Sequence, residues 1–239
     1  MSQIAVLSDI HGNLVALEAV WADLSKRSGV RVFCLGDLAA FGPEPEACVA
    51  FVRDVIKPEA IIRGNTDRYL VEPTSKGAPS EGEVAESLAQ CRAALSAESL
   101  SYLAALPAEL TLEVDGVALT LVHGAPGNDE TELGPMTEAC VWSELIDGSK
   151  AGATFCGHTH IPFRHSVGQQ LVFNVGSVGY PYDGDRRASY FRGMTTPAGL
   201  REAEFRRVSY STDRVLGQVE ASGLAMRETL IRRLRFAVR

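Results

Sequence analysis

Apolar residues recur in two rhythms along this chain. Over residues 3–7 (QIAVL), 31–35 (RVFCL) and 59–63 they form short continuous runs, which predict buried strands. Between the first two runs, Leu14, Leu17, Val20, Trp21 and Leu24 recur at helical spacing and predict an amphipathic helix over 13–27. Pro43 and Pro45 suit the first turn of a second helix near 44–56. A strand–helix–strand order of this kind predicts a parallel sheet with crossover helices.

Residues 72–83 (EPTSKGAPSEGE) interrupt the rhythm with Pro, Gly, Ser and charge, and read as a loop. An Ala- and Leu-rich helical stretch follows over 84–105, broken near Ser96 and ended by Pro107. Together these predict a small helical cap insertion, 72–106, within a single domain, 1–239. ELTLEV and VALTLV flank Asp115-Gly116, a strong two-residue turn signal, so 109–122 reads as a hairpin. Beyond it the pattern predicts a helix near 137–147, a strand at 153–156, and strands near 162–167 and 170–175 around Gly168-Gln169. A Gly/Tyr/Asp-rich loop covers 176–187, a hairpin covers 188–194 and 199–208, and a helix closes the chain over 212–237.

The 239 residues suit one large α/β domain, and 46% apolar content is enough for a substantial core. A net charge of −7 lacks the basic footprint of a general nucleic-acid binder. The five cysteines are odd in number and none is spaced C-x-x-C, which argues against a disulfide scaffold or zinc ribbon and for a reducing cytoplasm. Cys34 and Cys156 lie in apolar runs and read as small core residues. The segment MSQIAVLSDIHG has neither the basic nor the long apolar part of a signal peptide. No run of about 18 apolar residues predicts a membrane span.

The chemistry gathers where the strands end. IAVL runs into Asp9 and His11, VFCL into Gly36-Asp37, AII into Arg63-Gly64-Asn65, LTLV into His123-Gly124, and ATFC into Gly157-His158-Thr159-His160. In open α/β sheets, ligands bind at the carboxyl ends of strands. Residues i and i+2 of an extended chain point the same way, so Asp9 with His11, and His158 with His160, could each present two ligands to one side. Four of the five histidines stand at these ends. Together with Asp9, Asp37 and Asn65 they are too many for one tetrahedral ion and suit two metals sharing a bridging carboxylate. Mixed N and O donors without thiolate favour manganese, iron, zinc, cobalt or nickel. Paired metals are a known device for in-line displacement at phosphorus.

In order along the chain, D-x-H (Asp9, His11), G-D-L-x-x-x-G (Gly36 to Gly42), G-N-x-D (Gly64 to Asp67), H-G (His123, Gly124) and G-H-T-H (Gly157 to His160) resemble the calcineurin-like metallophosphoesterase superfamily. The match is closest to its small bacterial phosphodiesterase and diadenosine tetraphosphatase-related branch. FNVGSVGYPYDGDRRASY, residues 173–190, is similar to that branch's late glycine-rich segment. The resemblance implies a four-layer αββα sandwich of two mixed β-sheets flanked by helices. It implies two divalent transition metal ions, manganese first. Asp9, His11 and His160 would hold one, Asn65, His123 and His158 the other, and Asp37 would bridge them. The neutral Asn65 amide would donate an oxygen without adding negative charge near an anionic substrate.

Many catalytic members carry a histidine inside the third motif, where it contacts substrate and protonates the leaving alkoxide; Thr66 stands there in this chain. A threonine hydroxyl can bond a phosphate oxygen, but its pKa is too high for a useful general acid. The expected activity is therefore hydrolysis of phosphate mono- or diesters with good leaving groups, a metal-bridging hydroxide attacking phosphorus in line. Asp37, Asn65, Thr66 and Asp67 form the candidate catalytic group. Arg63, Arg68 and Arg186 are candidate substrate contacts, since guanidinium forks match phosphate. The substrate would be a phosphate-ester small molecule or a nucleotide. The alternative is a non-catalytic interaction scaffold on the same fold, which need not keep all seven ligands, yet all seven are present. His165 reads as an exposed strand residue, with a substitute general acid as its alternative. The tail RETLIRRLRFAVR, 227–239, reads as a packed helix with a solvated basic face, with a dimer contact or an anionic surface as its alternative.

Overall fold

The run IAVL lies at the centre of the molecule. In a computed structural model, which describes residues 1–148 and 152–239, strand β1 (Ser2–Leu7) buries Ala5 and Leu7 in one core and Ile4 and Val6 in another. Successive side chains of a strand face opposite ways. A strand covered on both faces must therefore be apolar at every position, and the continuous run reflects that.

β1 pairs in parallel with β2 (Val30–Cys34), and β2 with β3 (Ala60–Ile61). On the other side β1 pairs antiparallel with β9 (Ala188–Thr196), which pairs with β10 (Gly199–Val208). The sheet order is β10-β9-β1-β2-β3. A second five-stranded sheet runs β4-β5-β6-β8-β7, from β4 (Leu110–Val114), β5 (Val117–Leu121), β6 (Gly152–Cys156), β7 (Phe163–Val167) and β8 (Gln170–Asn174). β5, β6 and β8 are parallel; β4 and β7 are antiparallel edges. Both sheets are mixed, as the family resemblance implies, where the strand–helix–strand rhythm alone predicts parallel pairing.

Phe33, Phe155, Phe173 and Phe191 fill the space between the sheets. The Phe155 ring lies edge-on to Phe191 with centroids 4.8 Å apart. Helix α1 (Leu14–Leu24) and α2 (Pro45–Ala50) cover the outer face of the first sheet, and α6 (Ala139–Leu145) puts Trp142 against the outer face of the second. The result is the expected helix–sheet–sheet–helix layering. The segment proposed as a cap forms α4 (Gly82–Ala94) and α5 (Ala97–Ala105), with Ser96 capping α5 by accepting from the Ser99 N–H. Leu88, Cys91 and Leu103 join the core shared with α1 and α2.

Two helical expectations change. Asn65–Val71 is helix α3, with Gly64 as its N-cap, an element that the apolar pattern does not predict. The single closing helix is two, α7 (Thr212–Ala221) and α8 (Arg227–Phe236), because Ser222 leaves α7 in an extended conformation just before Gly223. The helix predicted over 44–56 continues past Ala50 as a π-helical segment, Phe51–Ile56, and ends at Lys57 in the left-handed region.

Candidate metal centre

The parallel strands β1, β2, β3, β5 and β6 deliver their C-terminal ends to one rim. The loops there are tied to each other. The backbone N–H groups of Ile10 and His11 both donate to the Asp37 carbonyl (2.9 Å each), and the Gly179 N–H donates to the Asp9 carbonyl (2.9 Å). Asn174 donates to the Thr159 hydroxyl (3.0 Å), fixing the loop that carries His158 and His160. At Gly64 and Gly157 the packing is so close that an added Cβ would strike the carboxylates of Asp37 and Asp9 respectively.

Asp9, His11, Asp37, His158 and His160 all have positive φ, between 49° and 65°. The pairs Asp9/His11 and His158/His160 therefore do not converge by extended i, i+2 alternation. The strands end at Leu7 and Cys156, and left-handed turns aim the side chains inward. Such residues cost about 1–3 kcal/mol each and persist where the surroundings impose them.

The side chains form two compact groups, Asp9 with His11 and His160, and Asp9 with Asp37 and His123, the atoms of each lying within 4.8 Å of one another. Asp9 Oδ1 is 3.2 Å from His160 Nε2 and 3.7 Å from His11 Nε2. Asp37 Oδ2 lies between His123 Nε2 (3.4 Å) and His11 Nε2 (3.5 Å). Each of these rings is anchored from behind: Nδ1 of His11, His123 and His160 bonds the carbonyls of Ala40 (3.2 Å), Leu35 (2.8 Å) and Tyr180 (2.6 Å). A carbonyl can only accept, so Nδ1 carries the hydrogen and Nε2 faces the centre, the arrangement of ligating imidazoles. His158 lines the same cleft with its ring edge-on to His123 at 5.3 Å, and its N–H donates to Asp9 Oδ2 (3.1 Å).

Asp9 Oδ1, Asn65 Oδ1 and His123 Nε2 are buried with no hydrogen-bond partner. Buried polar atoms are ordinarily satisfied. Asp9 Oδ1 and His123 Nε2 lie 3.9 Å apart, and Asn65 lines the same cleft as His11 and Asp37; open oxygen and nitrogen donors gathered in this way fit divalent metal ions. The electrostatics agree. Burial would raise the Asp9 and Asp37 carboxyls, but the surrounding histidines outweigh it and hold both low. Burial would lower His123, but Asp37 and Asp9 carry it up to about 10, so a metal binding there displaces a proton. Burial lowers His158 and His160, with His123 adding to the effect on His158.

The other candidates separate. Thr66 is buried and lines the cleft of about 250 Å³ that also holds His11, Asp37 and Asn65; its Oγ1 has no partner. Asp67 sits behind that cleft and accepts from the N–H groups of Asp37 (2.7 Å), Leu38 (3.0 Å) and Gly64 (3.0 Å). Burial and the Asp37 charge push its carboxyl up to about 6 against those three bonds. It positions the ligand loops instead of facing a substrate. Arg63 and Arg68 line an adjoining cleft that reaches His123. There Arg68 is clamped by Asp129 and Glu130 (2.8 Å each), and Arg63 lies 3.5 Å from Glu72. Arg186 is exposed and lines neither cleft; the chain there is entering β9. His165 stacks on Trp142 (4.5 Å, 20°), away from both.

Two residues of the centre are absent from the sequence reading. Arg233 and Arg239, from the far end of the chain, line the cleft beside His160 and Tyr182. Their basic tail is visible in the sequence, but its destination depends on a long-range packing contact that no local signal encodes.

Comparison with known proteins agrees with this geometry. Residues 2–196 match the calcineurin-like phosphoesterase superfamily domain. An uncharacterized protein of Methanocaldococcus jannaschii is 30% identical over 211 residues, 79% of this chain and 81% of its own. The crystal structure of a metallophosphoesterase from Sphaerobacter thermophilus superposes with a TM-score of 0.78 at 30% identity, over 99% of both chains. A hypothetical protein from Pyrococcus horikoshii OT3 shares the fold, with a TM-score of 0.84 at 20% identity over 99% of both chains. The family match takes in every strand end that bears a candidate ligand, and the chain belongs to the calcineurin-like phosphoesterase superfamily and is a hydrolase of phosphoric esters.

Proposed function

We propose that this protein hydrolyses phosphate mono- or diesters with good leaving groups at a dinuclear centre held by Asp9, His11, Asp37, Asn65, His123, His158 and His160. The two compact groups that meet at Asp9, with Asp9 Oδ1 and His123 Nε2 buried and open 3.9 Å apart, carry this reading. Bound divalent ions, manganese first, would supply Lewis acidity and an activated, bridging water.

The protein's own residues do the rest. Asp37, whose Oδ2 lies near His11 of one group and His123 of the other, would join the two ions, with Asp9 a member of both groups. The Thr66 N–H donates to Asp37 Oδ1 (3.0 Å), which fixes the carboxylate and leaves the Thr66 hydroxyl free to bond a phosphate oxygen. That hydroxyl cannot protonate an alkoxide, so esters whose leaving group departs unassisted are favoured. Arg63 and Arg68 border the adjoining cleft that reaches His123, each beside a carboxylate partner. Five cysteines without a disulfide, four of them buried, support a cytoplasmic setting. Among the described residues no helix is long and apolar enough to cross a membrane.

The test is hydrolysis of p-nitrophenyl phosphate and its bis-ester with Mn²⁺ by the wild type and by Asp37→Ala. A fall of about 10²-fold or more in the variant is expected from the loss of an electrostatic group at the reacting centre. Equal rates would overturn the proposal.

A further inference from the structure

The ligand cleft has a cationic wall built from the end of the chain. Val215, Val219, Leu230 and Leu234 of α7 and α8 pack with Val15 and Tyr180, which seats α8 beside the cleft. Arg233 then lies with its Cζ 5.3 Å from the centroid of the Tyr182 ring. That ring stacks on the candidate ligand His160, with centroids 4.3 Å apart and planes 15° from parallel. The order His160, Tyr182, Arg233 fixes the guanidinium next to the metal-binding side chains.

Arg233 is unusual among its neighbours. Arg227 pairs with Glu228, Arg235 with Glu220 and Arg239 with Glu132. Arg233 forms no ion pair among the described residues, and its Nε is buried without a hydrogen-bond partner. Arg68 of the adjoining cleft differs in this respect, being already held by Asp129 and Glu130. A half-buried guanidinium without a carboxylate, facing a phosphoester site, is matched to an anion with fork-accepting oxygens.

We propose that Arg233, held by Tyr182, binds a second phosphate group beyond the scissile one. The substrate class is then a phosphate ester or anhydride with two or more phosphates. This rests on the phosphoesterase reading above and narrows it. A nucleoside polyphosphate and an inorganic oligophosphate share the recognised chemistry, so both enter the test. The metal-binding side chains would engage the scissile phosphate, and Arg233 would orient the rest of the anion along the α8 wall.

The experiment compares kcat/KM for ATP, tripolyphosphate and bis-p-nitrophenyl phosphate in the Mn²⁺-loaded wild type, Arg233→Gln, Arg233→Lys and Arg239→Gln. Arg233→Gln is expected to lower the ratio of multi-phosphate to bis-ester kcat/KM by about 10–100-fold, the worth of a charged hydrogen bond. Arg233→Lys should recover part of it, and Arg239→Gln should lose less. A loss confined to ATP assigns a nucleotide, and one confined to tripolyphosphate an inorganic chain. An unchanged ratio overturns the proposal. Arg239 is exposed, and Arg233→Lys keeps the charge, so these two variants decide the question if Arg233→Gln does not fold. Calorimetric titration of the same proteins with tripolyphosphate gives an independent readout. Weaker binding by Arg233→Gln supports the anion site even if no ester is hydrolysed, an outcome that sinks only the phosphoesterase reading; equal binding sinks the anion site.

Discussion

His11 Nε2 and His160 Nε2 face each other at 3.1 Å, while the Nδ1 of each ring is already committed to a carbonyl. Two imidazole lone pairs at that distance repel unless a proton or a cation is shared between them. Asp9 Oδ1 stands 3.2 Å from the second ring with no hydrogen-bond partner of its own. The contact joins two loops 149 residues apart in sequence and, with Asp9, fits a site for a shared cation.

Removing one ring should therefore remove one ion. His160→Ala is expected to bind one metal fewer than the wild type in manganese-loaded protein, measured by elemental analysis after gel filtration. Loss of both ions would mean that the two groups bind as a single unit; loss of none would remove His160 from the ligand set.

Chelation should cost stability as well as activity. A ligand present at about 100 times its Kd stabilises the native state by about 2.7 kcal/mol. For a chain of this size that corresponds to about 5–10 °C in Tm. Differential scanning calorimetry with Mn²⁺ and with excess chelator should show a shift of that order, and identical transitions would argue against a resident metal.

Thr66→His supplies the imidazole whose place Thr66 takes. A positioned general acid contributes about 10²–10⁴-fold for leaving groups that need a proton. The variant should gain at least about 10-fold on alkyl phosphates relative to p-nitrophenyl phosphate, followed by phosphate release. An unaltered ratio would show that the leaving group does not reach position 66.

Asp67 offers a prediction about structure. Asp67→Ala leaves the N–H groups of Asp37, Leu38 and Gly64 without their acceptor, at about 1–3 kcal/mol for each buried donor. Relief of the buried charge offsets part of this, so a net loss of about 2–4 kcal/mol is expected in urea unfolding. Asp67→Asn keeps an acceptor oxygen without the charge and should fall between the two.

The sequence made the rim of the sheets legible because each ligand stands directly after an apolar run, and a strand end is a local feature. Asp9, Asp37, His123, His158 and His160 were placed by that rule alone. That rule misses the backbone beyond the strands, where Asp9, His11, Asp37, His158 and His160 turn left-handed within loops tied by hydrogen bonds. Asn65 stands at a predicted strand end, but the helix it opens has no local signal, because Gly64-Asn65 reads locally as a turn. Arg233 was invisible for a different reason. Its partner Tyr182 lies on a loop far away in sequence, and only the packing of Leu230 and Leu234 brings them together.

The left-handed ligands carry one more consequence. At Asp9, His11, Asp37, His158 and His160 a glycine would fit the backbone better than the residue that stands there. A His158→Gly chain is then expected to tolerate heat better than His158→Ala, though both lack the ligand. At these five positions the backbone alone favours a chain without the catalyst, so the ligands persist through what they do for turnover, at the expense of what they do for folding.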